Sequence, residues 1–431
     1  MPEGRVIATQ DSALPVDRVA VAVIGAGPSG LTAAAALARE LDGRVLVLER
    51  ERETGGIPRH SNHLGYGIRD LHRFISGPAY ARRLTQEAQD VGAEFETEAQ
   101  VTGFDTHGGL VVTSPRGRRI IVDADAVVLA TGARERPRAA RRIPGDRPDG
   151  VYTTGELQNL VHLHHAIVGK RAVIVGAELV SWSAIMTLRE VGCTTVAMLS
   201  RYSRSESYAA FRAFGQLALR VPVATRKRIV RINGKSLVES VVVEDLDTLE
   251  RTTIECDVVI TTGDWIPDNE LARLADLEID CGTKGPIVDT GLRTSCPGMF
   301  AIGNLVHPVD TADAAALDGL HVVSSVTAHL YGKSDSDSPA VTVEAGAPFT
   351  WVSPQRIRPG ERAPRGNLLL WPDEYERFPI VQAWQDGELI GERRVLWPAS
   401  PGRVFRVSGD LLDAADPEGG TVKVTLAIRR A

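Results

Sequence analysis

The stretch Arg18-Val19-Ala20-Val21-Ala22-Val23-Ile24-Gly25-Ala26-Gly27-Pro28-Ser29-Gly30 decides the fold. Val19 to Ile24 is an apolar, β-branched run that stops at Gly25, as a strand buried on both faces does. The glycines then follow as G-x-G-x-x-G. Gly25 permits a tight turn, Gly27 lets the backbone approach a pyrophosphate, and Gly30 lets a helix pack close to the strand. Leu31 to Leu41 is Ala-rich, has high helix propensity and ends before Asp42-Gly43. Pro28 and Ser29 stand at its start, where free N–H groups and the helix dipole favour an anion. A second strand, Arg44 to Leu48, delivers Glu49 24 residues after Gly25, where an acid binds a ribose; an ordinary exposed acid is the alternative. The glycine pattern alone is weak, but strand, turn, helix and acid together read as a dinucleotide-binding unit.

The unit recurs. Lys170 to Val175 repeats the strand, Gly176-Ala177-Glu178-Leu179-Val180-Ser181 the turn, Trp182 to Val191 the helix and Thr194 to Leu199 the next strand. Gly176 keeps the turn and Ser181 the close packing, but Glu178 takes the middle glycine's place. At ~5 Å, two like charges repel by about 3 kcal/mol at an effective dielectric of about 20, which weakens binding about a hundredfold unless the carboxylate turns away or is neutralised. The strand ends at Leu199-Ser200-Arg201 without an acid for an NAD ribose, while Arg201 or Arg204 could meet a 2′-phosphate. An NAD(P) site and a retained fold without one both stay open. Beyond about residue 340, after the Ser/Asp/Pro-rich Ser334 to Pro339, short alternating runs (379–384, 421–426) and the turn Gln385-Asp386-Gly387 predict a small β-domain.

Composition narrows the partners. At 431 residues the chain is long enough for about three domains. Its 43% hydrophobic and 24% charged fractions exclude long disorder, a fibrous repeat and a membrane protein. With 55 acidic against 49 basic residues and a net charge of −6, no broad cationic field exists for nucleic acid or anionic lipid, which leaves a small molecule or a protein. The N-terminal residues MPEGRVIATQDSALPVDR lack a cationic start and an apolar core, and no apolar run approaches the ~20 residues of a membrane span, so a cytoplasmic protein is expected. Cys193, Cys256, Cys281 and Cys296 have no metal or dithiol spacing and are expected as buried free thiols. His162, His164 and His165 lack further ligands, so no metal is expected.

Four more segments carry a family resemblance: Glu53-Thr54-Gly55-Gly56, Asp125 to Ala133 with Ala130-Thr131-Gly132, Gly263-Asp264-Trp265-Ile266-Pro267-Asp268, and Gly298 to Asn304. Over residues 18 to 330 the chain resembles the pyridine nucleotide-disulfide oxidoreductase-like flavoproteins. That resemblance implies an α/β protein with two Rossmann-like, glutathione reductase-like nucleotide-binding domains, the second inserted in the first. The FAD domain would comprise residues 1–150 and 285–338, the NAD(P)-binding-like domain 151–284 and the β-rich domain 339–431. It implies FAD held by Gly25, Gly27, Pro28, Ser29, Gly30, Glu49, Arg50, Gly55, Gly56, Val101, Ala130, Thr131, Gly132, Gly303, Asn304, Thr311 and Ala312. Asn304 replaces the family's usual Asp. Asp310 or Thr311 would cap an Ala-rich helix whose N-terminus faces the flavin pyrimidine edge, a helix that only packs being the alternative. A second nucleotide would meet Gly176, Glu178 and Ser181. Arg134 and Arg136 would form a charged crossing between the domains, with a solvated face as the default alternative, and Trp265 would either cover the cofactor cleft or pack between the domains.

The family's disulfide reductases need a cysteine pair over the flavin. Here Ile57-Pro58-Arg59-His60-Ser61-Asn62-His63 follows Gly56, which excludes that activity. Within the family the chain looks most like the flavoprotein subunits of opine oxidase, hydrogen cyanide synthase and amino-acid dehydrogenases, although residues 340–431 contain no cysteine for an iron–sulfur cluster. The expectation is an FAD-dependent oxidoreductase that oxidises a small amine, amino acid or alcohol and passes electrons to a partner subunit or acceptor, with a homo-oligomer as another arrangement. Arg59, His60 and His63 are the catalytic candidates, for binding a carboxylate or accepting a proton, with Arg69 as a further cation; packing around the flavin is their alternative role. An NAD(P)H-dependent flavin reductase and a non-catalytic flavoprotein subunit are the rival functions.

Overall fold

A computed structural model describes residues 14–114, 119–207, 219–333 and 339–427. The leader reading of the first residues and most of the Ser334 to Pro339 linker fall outside them. Strand β1 (Val16–Ile24), helix α1 (Pro28–Glu40) and strand β2 (Val45–Leu48) form the expected unit. β1 lies between two parallel neighbours, β2 and the long strand β3 (Arg119–Leu129), which is why its Val-rich residues are buried on both faces. Glu94–Glu96 extends the sheet beyond β2, and Leu110–Thr113 and Gln100–Phe104 add an antiparallel edge beyond β3.

A second, all-parallel sheet runs in the order Val151–Thr153, β6 (Val258–Thr261), β4 (Arg171–Val175), β5 (Thr194–Leu199) and Val223–Ala224. Helix α2 (Leu179–Glu190) follows β4 as α1 follows β1. The chain crosses into this fold through Ala133–Glu135 and returns through Trp265–Pro267, two strands that pair with each other. It then rejoins the first sheet by β7 (Met299–Ala301), parallel to β3. Ala272 and Leu277, which precede the expected return at residue 285, already pack in the first core. Helix α3 (Ala312–His321) packs next to α1.

Residues 341–426 form two β-sheets around one apolar core that includes Val341, Leu368, Val381, Phe405 and Val424. The hairpin between β8 (Ile380–Gln385) and β9 (Glu388–Arg394) turns at Asp386 (φ 51°) and Gly387 (φ 86°), both left-handed as a two-residue hairpin requires. The thiols depart from the uniform burial expected. Cys193 and Cys256 are buried, and burial pushes both pKa values up to about 12. Cys281 is exposed and Cys296 partly so, because they lie on the segments connecting the second fold back to β7. Among the described residues no helix is long and apolar enough to cross a membrane and no group of three potential ligands could hold a metal ion.

Candidate functional site

At the first turn Gly25 has φ +104° and Gly30 packs on it so tightly that an added Cβ would lie 2.0 Å from the Gly25 carbonyl oxygen. Gly27, the N-cap of α1, faces open space, and no side chain caps the helix. The N–H groups at that end are therefore available to an anion, with Pro28 in the first turn and Ser29 buried. Glu49 is buried at the end of β2. Its Oε2 accepts from Ala26 N–H at 2.8 Å and its Oε1 from Glu51 N–H at 2.8 Å, which fixes the acid beside the turn with lone pairs left over. The glycines of the following loop close around it: Gly55 N–H donates to Ala26 O (2.8 Å), and a Cβ on Gly56 would lie 3.0 Å from Gly27 Cα. The Ala130 N–H donates to Ile24 O, and the Ala130 carbonyl abuts Gly25. Thr131 and Gly132 bond instead to Asp268, which also pairs with Arg50 and Arg134. These contacts, with Arg136 on Asp264 at 3.5 Å, form the expected charged crossing. Trp265 stands in it opposite Glu135, partly buried. Val101 differs from the rest: its side chain belongs to the first fold's core. An uncapped helix N-terminus, an open glycine and a fixed acid fit FAD.

The catalytic candidates occupy a 3-10 turn, Ile57–His60, and the loop after it. Arg59 donates to Glu53 O (2.9 Å) and pairs with Glu51 and Glu53 at 3.7 and 3.8 Å, so it braces the Gly55-Gly56 loop. His60 is buried. Burial first, then the Arg59 and His162 charges, push its pKa down to about 4, and its Nδ1 has no hydrogen-bond partner among the described residues. His63 Nδ1–H donates to Leu64 O (2.8 Å), leaving Nε2 to accept from Ser61 Oγ (3.1 Å); burial lowers its pKa too. Sequence reading missed the surroundings. Gln158 reaches Ser61 Oγ from the second fold at 3.3 Å, and Tyr80 donates to Asp70, whose pKa burial raises. Arg69 is committed to Asp313 and Thr311 at the start of α3.

The start of α3 carries a denser arrangement. Thr311 is the N-cap, leading into Ala312, and makes no side-chain cap. Asn304 spends both ends of its amide on the Asp310 backbone, donating to its O and accepting from its N–H at 3.1 Å each. Gly303, packed on Ser29, donates its N–H to Asp318 (3.0 Å), which also lies 2.6 Å from His307 Nε2. Two β-domain arginines enter this buried cluster, Arg365 on Asp318 and Arg406 on Asp310. Burial, with Arg365 beside it, drives the His307 pKa down to about 3; burial opposes ionisation of Asp310, but Arg406, His307 and Arg365 outweigh it and hold its pKa below the ordinary range. Single residues scattered over 100 positions gave no sequence signal for this cluster.

The second turn keeps its backbone and loses its opening. Gly176 has φ +125° against Thr262, and Ser181 Oγ accepts from Glu178 N–H at 3.2 Å while bonding Thr262 Oγ1 at 2.8 Å. Glu178 is the N-cap of α2, buried, with its carboxyl against Gly263. Burial, then Glu206 and Glu135 nearby, push its pKa up to about 8. Where the first turn has an open glycine at the helix N-cap, this turn carries a buried side chain, which argues against NAD(P) here.

The sequence model described as "Pyridine nucleotide-disulphide oxidoreductase" matches residues 19–319. The chain belongs to this family. Members of the pyridine nucleotide-disulphide oxidoreductase family are FAD-dependent oxidoreductases, and the match ends before the β-domain begins. The chain is similar to the benzene 1,2-dioxygenase system ferredoxin–NAD(+) reductase subunit of Pseudomonas putida, 26% identical over 373 residues that span 81% of this chain and 83% of the relative. It is also similar to the biphenyl dioxygenase system ferredoxin–NAD(+) reductase component of Paraburkholderia xenovorans, 26% identical over 379 residues, 84% and 86% of the two chains. In fold it is similar to T. acidophilum thioredoxin reductase, at TM-score 0.61 and 21% identity over 74% of this chain and 99% of that one.

Proposed function

We propose that this family member is a dehydrogenase, or a dehydrogenase subunit, that oxidises a small amine, amino acid or alcohol at its FAD site and passes electrons to a protein partner. The observation that carries this reading is the contrast between an open first turn at Gly27 and a filled second turn at Glu178, which leaves FAD without a nicotinamide donor on the same chain. The relatives named as ferredoxin–NAD(+) reductases support a protein at one end of the electron path.

When bound, FAD supplies the hydride acceptor, and the protein's part is to hold it and control what reaches it. Gly25, Gly27, Pro28, Ser29 and Gly30 take its pyrophosphate, and Glu49 a ribose. Gly55, Gly56, Ala130, Thr131, Gly132, Gly303, Asn304, Thr311 and Ala312 line the rest. Neutral at physiological pH and with Nδ1 unpartnered, His60 is the side chain to accept a substrate proton. Through its hydrogen bond from Ser61, His63 orients the loop, and Arg59 holds it in place.

The relatives' names favour a second reading, an NAD(P)H-dependent flavin reductase. Anaerobic stopped-flow absorbance of the FAD-loaded protein separates the two. Bleaching of the flavin by amines, amino acids or alcohols, with none by NADH or NADPH, is the expected result. Rapid, saturable bleaching by either nicotinamide overturns it.

A further inference from the structure

The β-domain meets the second nucleotide fold at both places where that fold would hold a dinucleotide. One is the N-terminus of α2, the position for a pyrophosphate. Gly263 backs the Glu178 carboxyl so closely that an added Cβ would lie 2.0 Å from Oε1, and on the β-domain side Gly402 covers the same residue. A Cβ on Gly402 would lie 2.4 Å from Glu206 Cβ and 3.5 Å from Glu178 Cβ. The other place is the end of β5, where an adenosine ribose would bind. There Tyr202 donates its hydroxyl to Asp373 at 3.3 Å, and the Arg204 guanidinium lies over the Tyr375 ring, 4.7 Å from its centroid. Asp373, Tyr375 and Gly402 all belong to the β-domain.

We propose that the second nucleotide fold is the docking site of the chain's own β-domain, which takes the place of NAD(P)H there and is held while Glu135, Glu178 and Glu206 are protonated and loosened when they ionise. All three carboxyls are buried. Oε1 of Glu135 and Oε2 of Glu206 have no hydrogen-bond partner among the described residues, an arrangement that costs far less for a neutral carboxyl than for a carboxylate. The groups facing Glu178 are Glu206, Glu135, Thr262 and Arg141. Glu135 also meets Thr154, the Gly155 N–H and the Gly263 backbone, and Glu206 meets Ser200, Arg201 and the Ala177 backbone. Among the described residues Arg141 and Arg201 face the three acids, and Arg141 is already committed to the Arg136 and Gly263 carbonyls. Burial leads the upward push on each acid, to about 7 for Glu135 and about 8 for Glu178. The docked state thus binds more protons than an undocked state with ordinary carboxylates. Docking weakens as pH rises from the ordinary carboxylate range to about 8, and stays weak above it. A dinucleotide is excluded on both sides of that range, by the β-domain below it and by three negative charges above it.

This inference rests on the same reading as the proposed function, that the second fold holds no NAD(P)H, and stands whichever amine, amino acid or alcohol reduces FAD. Hydrogen exchange on the full-length, FAD-loaded chain tests it at about pH 6.5 and about pH 9, with intrinsic rates corrected. Segments 371–377 and 398–403 are expected to lose protection by about tenfold or more at the higher pH. Glu178→Gln, which stays neutral, flattens that response, and Glu206→Gln serves if the first variant does not fold. NADPH, followed by its own fluorescence, is expected to bind at neither pH. Equal protection of the wild type at both pH values, a Gln variant that responds like the wild type, or NADPH bound while both segments stay protected would each overturn the proposal.

Discussion

The two strand–turn–helix units share a backbone and differ in what fills the turn. Gly25 and Gly176 both adopt left-handed φ, and both helices begin three residues later. At the N-cap, however, Gly27 leaves open space and orphan N–H groups, while Glu178 supplies a side chain, bonds Ser181 and lies beneath Gly402. The first glycine serves the fold and the middle one serves the ligand. A unit can lose its ligand and keep its architecture by changing only the middle position.

The most damaging way to break this comparison is Gly30→Val. A side chain there meets the Gly25 carbonyl, so FAD retention is expected to fall by about three orders of magnitude, roughly 4 kcal/mol, read from the flavin-to-protein absorbance ratio. Stoichiometric flavin in the purified variant would sink the assignment of the first turn. Asp318→Ala strikes the support behind Gly303 by leaving Arg365 buried without its partner. It should cost about 3 kcal/mol in urea unfolding, and a loss within error would mean the cluster is hydrated.

Glu178→Gln sharpens the comparison at the second turn. The raised pKa of Glu178 means that wild-type stability falls as pH climbs from the ordinary carboxylate range to about 8. The amide should recover about 2 kcal/mol at alkaline pH, after allowance for screening, and nothing at acidic pH. Parallel pH–stability curves for the two proteins would contradict that. The smallest effect belongs to Tyr202→Phe, which removes the partly exposed hydrogen bonds that one hydroxyl donates to Asp373 and accepts from Arg201 and should cost about 1 kcal/mol without moving the FAD ratio.

The first turn was legible because every cue is local: a β-branched run, three glycines, a helix-forming stretch and an acid at the right distance. The hairpin at Asp386-Gly387 was legible for the same reason. Glu178 was visible as an intruder, but charge repulsion was only half of its meaning, since sequence cannot tell that the group is buried beside Glu135 and Glu206 and covered by a loop more than 200 residues away. The same limit hid the entry of Arg365 and Arg406 into the His307–Asp310–Asp318 cluster, where each residue alone looks like an ordinary surface charge. Arg59 and Arg69 carried a cation's promise for a substrate carboxylate, and packing gave both to neighbouring acids instead.

Met299 pairs with Val127 in a parallel ladder, and the whole second sheet lies between them in sequence. A chain emerging from the ribosome N-terminus first can therefore close the 151–261 sheet while the first sheet still waits for its last strand, a long-range closure that is slow to form. Gly402 arrives later still. Until then no β-domain loop covers Glu178 and Glu206, so if docking holds these acids neutral, as proposed, the final step of the newborn chain is also an uptake of protons, and the acidity around the ribosome sets how readily it completes.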